Sequence, residues 1–381
     1  MPTYRFRRFD DVNGIDPAAW DALTDGQVCV SHAFLATLEA TGCVGPGTGW
    51  LPRHATLWEG PQLLAAMPLY EKHHSYGEYV FDWAWAEAYA RHGLAYYPKW
   101  LAAVPFTPVP GMRLLGRDTA SRQALLQATL ALAEESGLSS LHVLFPTETE
   151  AGWMREAGLL IRQGVQFHWF NAGYHDFDDF LGTLNHEKRK KIRQDRRHAA
   201  AHALTFRWLD GTTANAADWA FFHRCYAVTY ALHRSTPYLG APFFTQLASR
   251  APHSVRLLLA EREGKPVASA FFLCDGEALY GRYWGATEHL PFLHFELCYY
   301  QAIDYCIGQR LSRFEGGAQG EHKLARGLQP VVTRSAHWIR EPRWRDAVDR
   351  FLAQETAGID FYLDELTERS PFRASQRTAP E

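Results

Sequence analysis

A chain of 381 residues is longer than one hydrophobic core usually spans, so two domains are expected. Hydrophobic residues make up 47% of the chain and aromatic residues 14%, which is ample for well-packed interiors. With 39 Lys and Arg against 42 Asp and Glu, the net charge of −3 argues against a dedicated nucleic-acid coat or a membrane-surface protein and leaves only local charged patches open.

The start of the chain and its cysteines favour a cytoplasmic protein. The basic residues that follow Met1 do not lead into the apolar run of a signal peptide, and no window approaches 18 consecutive apolar residues. The six cysteines include no CxxC pair, which is typical of reduced thiols. No Cys/His cluster has the spacing of zinc ligands, so no metal is expected.

Strand and helix patterns alternate in the first half of the chain. Ser31 is suited to cap a helix, and a Gly-Pro pair at 60–61 separates two apolar runs that predict a hairpin. The predicted elements are a strand at 4–9, a helix at 32–41, a hairpin at 54–70, a helix at 119–136, a strand at 141–145, a short helix at 148–157 and strand material at 159–170. A junction at 171–179 then suggests two domains, 1–172 and 173–369, followed by a flexible tail at 370–381.

Residues 76–100 are unusually rich in aromatic side chains. Such a segment either packs into a core or forms the wall of a site for an apolar or sugar-like ligand. In the second interpretation Glu78, Asp82 and Lys99 would supply the polar contacts. The sequence leaves both interpretations open, with core packing favoured.

A strongly basic helix is predicted at 186–198, where seven Lys and Arg stand against Glu187 and Asp195. Its apolar stripe at helical spacing is thin. Most such runs are solvated helix faces, but the mutual repulsion of the cations also favours an anionic partner such as phosphate or tRNA. Arg189 and Arg193 are candidates for that contact because Arg binds phosphate in bidentate geometry.

The second half continues with an antiparallel meander, a helix and a glycine loop. The predicted elements are a strand at 204–208, helices at 216–232 and 242–250, a meander over 255–286, a helix at 292–308, a strand at 311–315, a late strand at 331–339 and a helix at 344–366. In the loop, Gly316, Gly317 and Gly320 permit a close approach of the main chain to a ligand. Glu321, His322, Lys323 and Arg326 emerge just after these glycines.

Several passages resemble a known family. The order of elements, together with a faint internal repeat between 55–66 and 258–269, resembles the Gcn5-related N-acetyltransferase (GNAT) fold. The basic helix looks like the K-x-R-x-x-I-R-x-A helix of the FemA/FemB/FemX peptidoglycan aminoacyltransferases, and the passage 314–328 resembles their late strand, glycine loop and F-K-x-G-F element. The chain as a whole looks most like the FemAB-like group of bacterial proteins labelled peptidoglycan biosynthesis or recognition. The passages that carry this match are 77–82, 97–99, 105–108, 281–285, 293–298 and 317–323.

This resemblance implies an α/β (α+β) protein with two tandem GNAT-like domains, each a mixed, largely antiparallel sheet flanked by helices. It also implies transfer of an aminoacyl group from tRNA to the amine of a peptidoglycan precursor, and Lys323 matches a lysine implicated in catalysis in that family. Two features depart from it. The second domain has no obvious coiled-coil arm, and 285–291 lacks the Q/R-x-x-G-x-G/A turn that holds the pyrophosphate of acetyl-CoA in other GNAT enzymes.

Acyl transfer to an amine requires a proton acceptor and donors for a developing oxyanion. Glu296 lies on an apolar helix, where its pKa should be raised, so it is either a general base or half of an ion pair with Arg282. Arg282 and the nearby Trp284 are candidates for substrate binding. Lys323 either stabilises an oxyanion or phosphate, or is a surface lysine. Glu321 and His322 are secondary acid/base candidates, and Arg326, Gly317 and Gly320 are expected to contact substrate.

The sequence thus predicts an N-acyltransferase, with acyl-CoA or aminoacyl-tRNA as donor and a small-molecule or peptide amine as acceptor. Two other functions remain open. One is a non-catalytic binding module for a nucleotide-linked sugar or peptide, and the other is RNA binding through the basic helix.

Overall fold

A computed structural model describes residues 4–317 and 320–373, so Ala318, Gln319 and the end of the predicted tail lie outside the described residues. The chain divides into two compact units. The first runs to Gly164 and takes in Val332–Phe361, and the second comprises Val165–Val331 and the residues from Tyr362 on. The predicted domain limits, 1–172 and 173–369, assume a single division of the chain and stay a prediction.

Two sheets belong to the first unit. Antiparallel strands Tyr4–Phe9, His54–Glu59, Gln62–Met67 and Leu115–Gly116 form one, in that order. The other contains, side by side, Trp50–Pro52, Leu69–Lys72, Lys99–Ala102, Ser140–Leu144 and the part of Gln329–Ile339 that belongs to this unit. The pair Lys99–Ala102 and Ser140–Leu144 is parallel, and the others are antiparallel. The hairpin predicted at 54–70 is confirmed.

Helices pack on these sheets around a core that includes Leu57, Met67, Leu125 and Leu141. The α-helices of this unit are Pro17–Asp21, His32–Ala40, Trp83–Arg91, Thr119–Glu135, Glu148–Glu156 and most of Pro342–Glu368, with 3-10 turns at Val12–Gly14 and Val28–Val30. Ser31 caps its helix as predicted, accepting a hydrogen bond from the backbone N–H of Phe34. The helix Trp83–Arg91 lies inside the aromatic segment and was not predicted.

One mixed sheet forms the centre of the second unit. Its strands are, in order, Leu204–Leu209, Val255–Arg262, Lys265–Cys274, Ala278–Ala286, Arg313–Glu315 and the second half of Leu160–Phe170. Only the pair Ala278–Ala286 and Arg313–Glu315 is parallel, because the helical segment 293–309 connects the two strands. The meander predicted over 255–286 is confirmed, and so is the mixed α/β class.

The helices of the second unit are Phe177–Thr183, His186–Ala200, Ala216–Leu232, Ala241–Arg250, Leu293–Phe295 and Gln301–Gln309. A π-helical turn, Glu296–Tyr300, lies between the last two, and 3-10 turns occur at Pro252–Ser254 and Glu321–Arg326. The helix Ala216–Leu232 packs very closely on the strand Ala278–Ala286. A Cβ atom at Gly285 would lie 2.1 Å from the backbone oxygen of Cys225, so no larger residue fits this crossing.

We therefore expect Gly285→Ala to destabilise the protein by about 1–3 kcal/mol in urea unfolding, because the clash is with backbone and the helix must shift. Gly276→Ala is the matched control, since a Cβ atom at Gly276 meets no heavy atom within 4 Å. Equal effects of the two substitutions would contradict this account of the helix–strand contact.

Candidate active site

The two parallel strands of the second unit, Ala278–Ala286 and Arg313–Glu315, pair over a short stretch and then diverge. Their pairing runs from Ala278 opposite Arg313 to Tyr280 opposite Glu315 and then ends. Beyond that point lies a cavity of about 110 Å³, here called the slot. Its walls come from both strands and from the helical segment 293–309, and they include Gly281, Arg282, Trp284, His294, Cys298, Tyr299, Gly316 and Gly317.

Lys323 lies behind the glycine side of this slot. The 3-10 turn that carries it begins after Gly320, at φ 116°, and ends at Gly327, at φ 86°, both in the region that favours glycine. Lys323 is 2% exposed, and its Nζ donates a hydrogen bond of 2.7 Å to the carbonyl oxygen of Gly317. A Cβ atom at Gly316 would lie 3.5 Å from Cδ and Cε of Lys323. The lysine is therefore packed directly against the wall of the slot.

Burial lowers the pKa of Lys323 to about 8, although the nearby thiol of Cys298 acts in the opposite direction. Burial raises the pKa of Cys298, so this thiol stays protonated and provides no strong counter-charge. A lysine in this environment is partly neutral near physiological pH. It can then accept a proton, which a lysine on the surface does only at much higher pH.

The opposite wall is shaped by the π-helical turn Glu296–Tyr300, a feature that is frequent at functional sites. His294, Cys298 and Tyr299 line the slot from this helix. The ring of His294 lies 4.5 Å from that of Trp284, between centroids. Burial, reinforced by nearby positive charges, lowers the pKa of His294 to about 4, so the ring is neutral at physiological pH. The hydroxyl of Tyr299 is 3.0 Å from Nε2 of His322.

Glu296 points away from the slot. Its carboxylate accepts hydrogen bonds of 3.1 and 3.3 Å from Arg196 and of 2.9 Å from Gln301. Glu296 is 4% exposed, so these contacts satisfy a buried charge. The ion-pair partner is thus Arg196 of the basic helix, and the predicted pairing with Arg282 is wrong. Arg282 lines the slot instead, with its guanidinium 5.4 Å from the ring centroid of Tyr283.

The other charged residues of the glycine loop make structural contacts. The guanidinium of Arg326 lies 3.4 Å from the ring centroid of Phe295, donates to the carbonyl oxygen of His322 at 2.6 Å and is 3.5 Å from Asp195. Glu321 is exposed and accepts hydrogen bonds from Tyr362 at 2.9 Å and Arg369 at 3.2 Å. His322 lies at the surface, and partial desolvation of its ring, together with the charges of Arg326 and Lys323, lowers its pKa.

The basic helix is confirmed as His186–Ala200, with Asn185 as its N-cap. Much of its charge is compensated by neighbouring carboxylates. Arg193 pairs with Asp178 at 2.9 Å, and Arg189 is half-buried. Lys188 also pairs with Glu187, Lys191 with Asp195, and Arg196 with Glu296 and Asp304. These pairs reduce the repulsion between cations that favoured an anionic partner.

Lys99 belongs to the first unit, where it is fully buried. Its Nζ donates to Glu78 at 2.9 Å and to Ser75 at 3.1 Å, and it also contacts Asp82. Burial opposes the charge of Lys99, but the two carboxylates outweigh it and raise the pKa of the lysine. Lys72 is a second buried cation here, with its Nζ 3.8 Å from Glu78. Glu78, Asp82 and Lys99 thus belong to a buried cluster of opposite charges inside the unit and do not form the polar contacts of an aromatic wall.

Further buried polar groups extend this cluster through contacts that sequence reasoning did not predict. The hydroxyl of Tyr96 donates to Asp82 at 2.5 Å and lies 3.0 Å from Nε2 of His142, whose Nδ1 is 2.7 Å from Nδ1 of His337. Burial lowers the pKa of His337 to about 3. It lowers the pKa of Lys72 to about 7 and raises that of Glu78 to about 7. No local spacing signals these contacts, because their members are up to 195 residues apart.

Comparisons with known proteins identify the family and the fold of the chain. A model of the FemAB-like family, described as peptidoglycan biosynthesis/recognition, matches residues 11–374. The chain belongs to the FemAB-like family. Solved structures that are similar to this FemAB-like chain include FemX and L-PGS. FemX shares 10% identity over 87% of this chain and 98% of its own, with a TM-score of 0.54. L-PGS from Bacillus licheniformis shares 10% identity over 88% of this chain and 97% of its own, with a TM-score of 0.55.

Identities this low establish a shared fold alone. No curated protein matches the sequence. Within the described ranges 4–317 and 320–373, no helix is long and apolar enough to cross a membrane. All six cysteines are present as thiols, five of them buried.

We expect Lys99→Met to destabilise the protein by about 3–5 kcal/mol, because it removes the main cation of the buried Glu78 and Asp82 and leaves only Lys72, 3.8 Å from Glu78. Lys190→Met, at an exposed position of the basic helix, is the control and should change stability by no more than about 0.5 kcal/mol. Chemical unfolding of both variants measures the difference. A Lys99→Met protein as stable as the control would mean that the buried charges are not coupled as the contacts indicate.

Proposed function

We propose that this FemAB-like protein is an N-acyltransferase that uses the slot to hold a reacting carbonyl and Lys323 to accept the proton of the attacking amine. The observation that supports this most directly is the buried lysine at the wall of the slot, whose pKa of about 8 lies close to physiological pH. General bases work best when their pKa is near the operating pH.

In the proposed reaction the amine nitrogen attacks the acyl carbonyl and forms the new C–N bond. The bond between the carbonyl carbon and the sulfur or oxygen of the carrier breaks, and the carrier leaves with the electron pair. Neutral Lys323 accepts a proton from the amine and returns it to the leaving group. Arg282, which lines the slot, would stabilise negative charge on the carbonyl oxygen during the attack.

Lys323 suits the role of base better than Glu296 does. The oxygens of Glu296 already accept hydrogen bonds from Arg196 and Gln301. The Nζ of Lys323 donates a hydrogen bond to Gly317, which uses a proton and leaves the nitrogen lone pair for the substrate when the amine is neutral.

The family description, peptidoglycan biosynthesis/recognition, favours the amine of a cell-envelope precursor as acceptor. The donor would be an acyl-CoA or an aminoacyl-tRNA. Incubation of the protein with each donor and a panel of amines, followed by mass spectrometry of the products, tests the proposal. Binding of these ligands without any product would instead favour a non-catalytic binding module.

We expect Lys323→Met to lower the rate of acyl transfer by about 10²–10⁴-fold, the usual contribution of a general base. The variant should be at least as stable as the wild type in thermal unfolding, because it removes a charged group from a buried site. Lys265→Met, in an exposed hairpin turn, is the control and should keep full activity. Unchanged activity of Lys323→Met would exclude the lysine as base.

The pH dependence of kcat/KM distinguishes two roles of this lysine. As a base Lys323 must be neutral, so kcat/KM should rise with pH and level off above about 8, the pKa of the group. An aniline-type acceptor, which is neutral across this range, keeps the titration of the acceptor out of the profile. A rate that falls as pH rises through the same value would mean that the charged lysine is the active form.

A further inference from the structure

A larger cavity of about 550 Å³ adjoins the slot. It lies between the C-terminal half of the helix Ala216–Leu232, the end of the strand Ala278–Ala286 and the residues that lead into the helix at Leu293. Its walls are mainly apolar and include Val228, Leu232, Ala286, Leu290, Pro291 and Phe292. Cavities of this size typically bind small molecules.

Two of these wall residues are unusually exposed for apolar side chains. Val228 is 39% exposed and Leu232 is 78% exposed, and they lie four residues apart on one face of their helix. Apolar surface that is concentrated in a concavity commonly marks a binding site for an apolar group.

The walls of the cavity are held in place by contacts with the sheet. Thr229 donates a hydrogen bond of 2.8 Å to the carbonyl oxygen of Trp284, which fixes the helix to the strand. On the other side the backbone N–H of Thr287 donates to the carbonyl oxygen of Val267 at 2.9 Å. Phe292 has a left-handed backbone conformation, with φ 69°, which turns the chain into the next helix. The walls of the cavity are thus fixed by hydrogen bonds to the sheet and by the local backbone conformation.

Trp284 and His294 line both the cavity and the slot. A ligand can therefore extend from the apolar cavity past this ring pair to the slot. The basic helix borders the cavity, since the Nζ of Lys191, which pairs with Asp195, is 5.7 Å from the ring centroid of Phe292 and the ring of His198 is 4.7 Å from it.

We infer that the apolar cavity binds the hydrocarbon chain of the transferred acyl group, so that the substrates are medium- or long-chain acyl esters. This inference rests on the proposed function, because it takes the slot as the place of the carbonyl. An acetyl group would occupy the slot alone and leave the cavity empty. With an acyl-CoA, the C–S bond breaks, the C–N bond forms, and the amine proton passes through Lys323 to the departing thiolate.

Calorimetric titration of the full chain with acetyl-, octanoyl- and myristoyl-CoA, below their micellar concentrations and without acceptor, tests this inference. We expect the Kd to fall with chain length by up to about fourfold for each buried methylene. Leu232→Glu, at a solvent-exposed position that should tolerate the change, is expected to weaken octanoyl- and myristoyl-CoA binding at least about tenfold and to leave acetyl-CoA binding unchanged. Phe361→Glu, at a position 73% exposed outside the cavity, is the matched control and should bind like the wild type.

An affinity independent of chain length would overturn the inference, and so would an equal loss of binding in Leu232→Glu and Phe361→Glu. Adding an amine to the same samples tests the transferase activity and the acyl-chain site separately. Product formed with acetyl-CoA and dependent on Lys323, without any effect of chain length, would uphold the transferase and refute the acyl-chain site. Chain-length-dependent binding that Leu232→Glu abolishes, with no product from any amine, would uphold the site and refute the transferase.

Discussion

The chemistry proposed for this protein depends on the early end of one parallel strand pair. The strand Ala278–Ala286 and the strand Arg313–Glu315 pair over only three positions before they separate. If the pairing continued, backbone and side chains would fill the space that forms the slot. Gly281 lies at the point of separation, where a Cβ atom would be 3.3 Å from the carbonyl oxygen of Glu315 and from the ring of Phe314. The absence of a side chain there allows the two backbones to come this close before they diverge.

The helical segment between these strands completes the site through its irregularity. A regular helix would place residues 294, 298 and 299 at different angles from those that the π-helical turn Glu296–Tyr300 sets. With the extra residue in this turn, His294, Cys298 and Tyr299 face the slot, while Glu296 faces Arg196 of the basic helix. The π-helical turn thus directs His294, Cys298 and Tyr299 towards the slot and directs Glu296 towards the ion pair that holds this helix against the basic helix.

Lys99 and Lys323 are both buried, and their neighbouring groups determine whether the pKa of each is raised or lowered. Lys99 has two carboxylates within reach, which keep it charged and raise its pKa although burial opposes this. Lys323 has a carbonyl oxygen and a protonated thiol nearby, and burial lowers its pKa to about 8. The first lysine is a structural cation in a compensated cluster. The second is a buried amine beside a cavity, an environment that is frequent at functional sites.

Local patterns in the sequence were sufficient for the regular elements and for the family. The hairpin around Gly60, the cap at Ser31 and the basic helix depend on contacts within a few residues, and these predictions are confirmed. The helix Trp83–Arg91 was missed although its buried residues Trp85 and Tyr89 have the i, i+4 spacing of a helix face, because the exposed Trp83 and the many aromatic residues around it obscure that pattern. The glycine loop and its lysine could also be singled out, because glycine runs beside charged residues are visible in sequence.

The sequence by itself determined that this is a mixed α/β chain of the FemAB-like family with a lysine behind a glycine turn. Only the tertiary structure decided which charged side chains have a partner of opposite charge, which lysine has a lowered pKa and where the cavities lie. The partner of Glu296 is 100 residues away and the partners of Lys99 are 17 to 24 residues away. Burial and charge pairing depend on such distant neighbours, and no spacing along the chain encodes them.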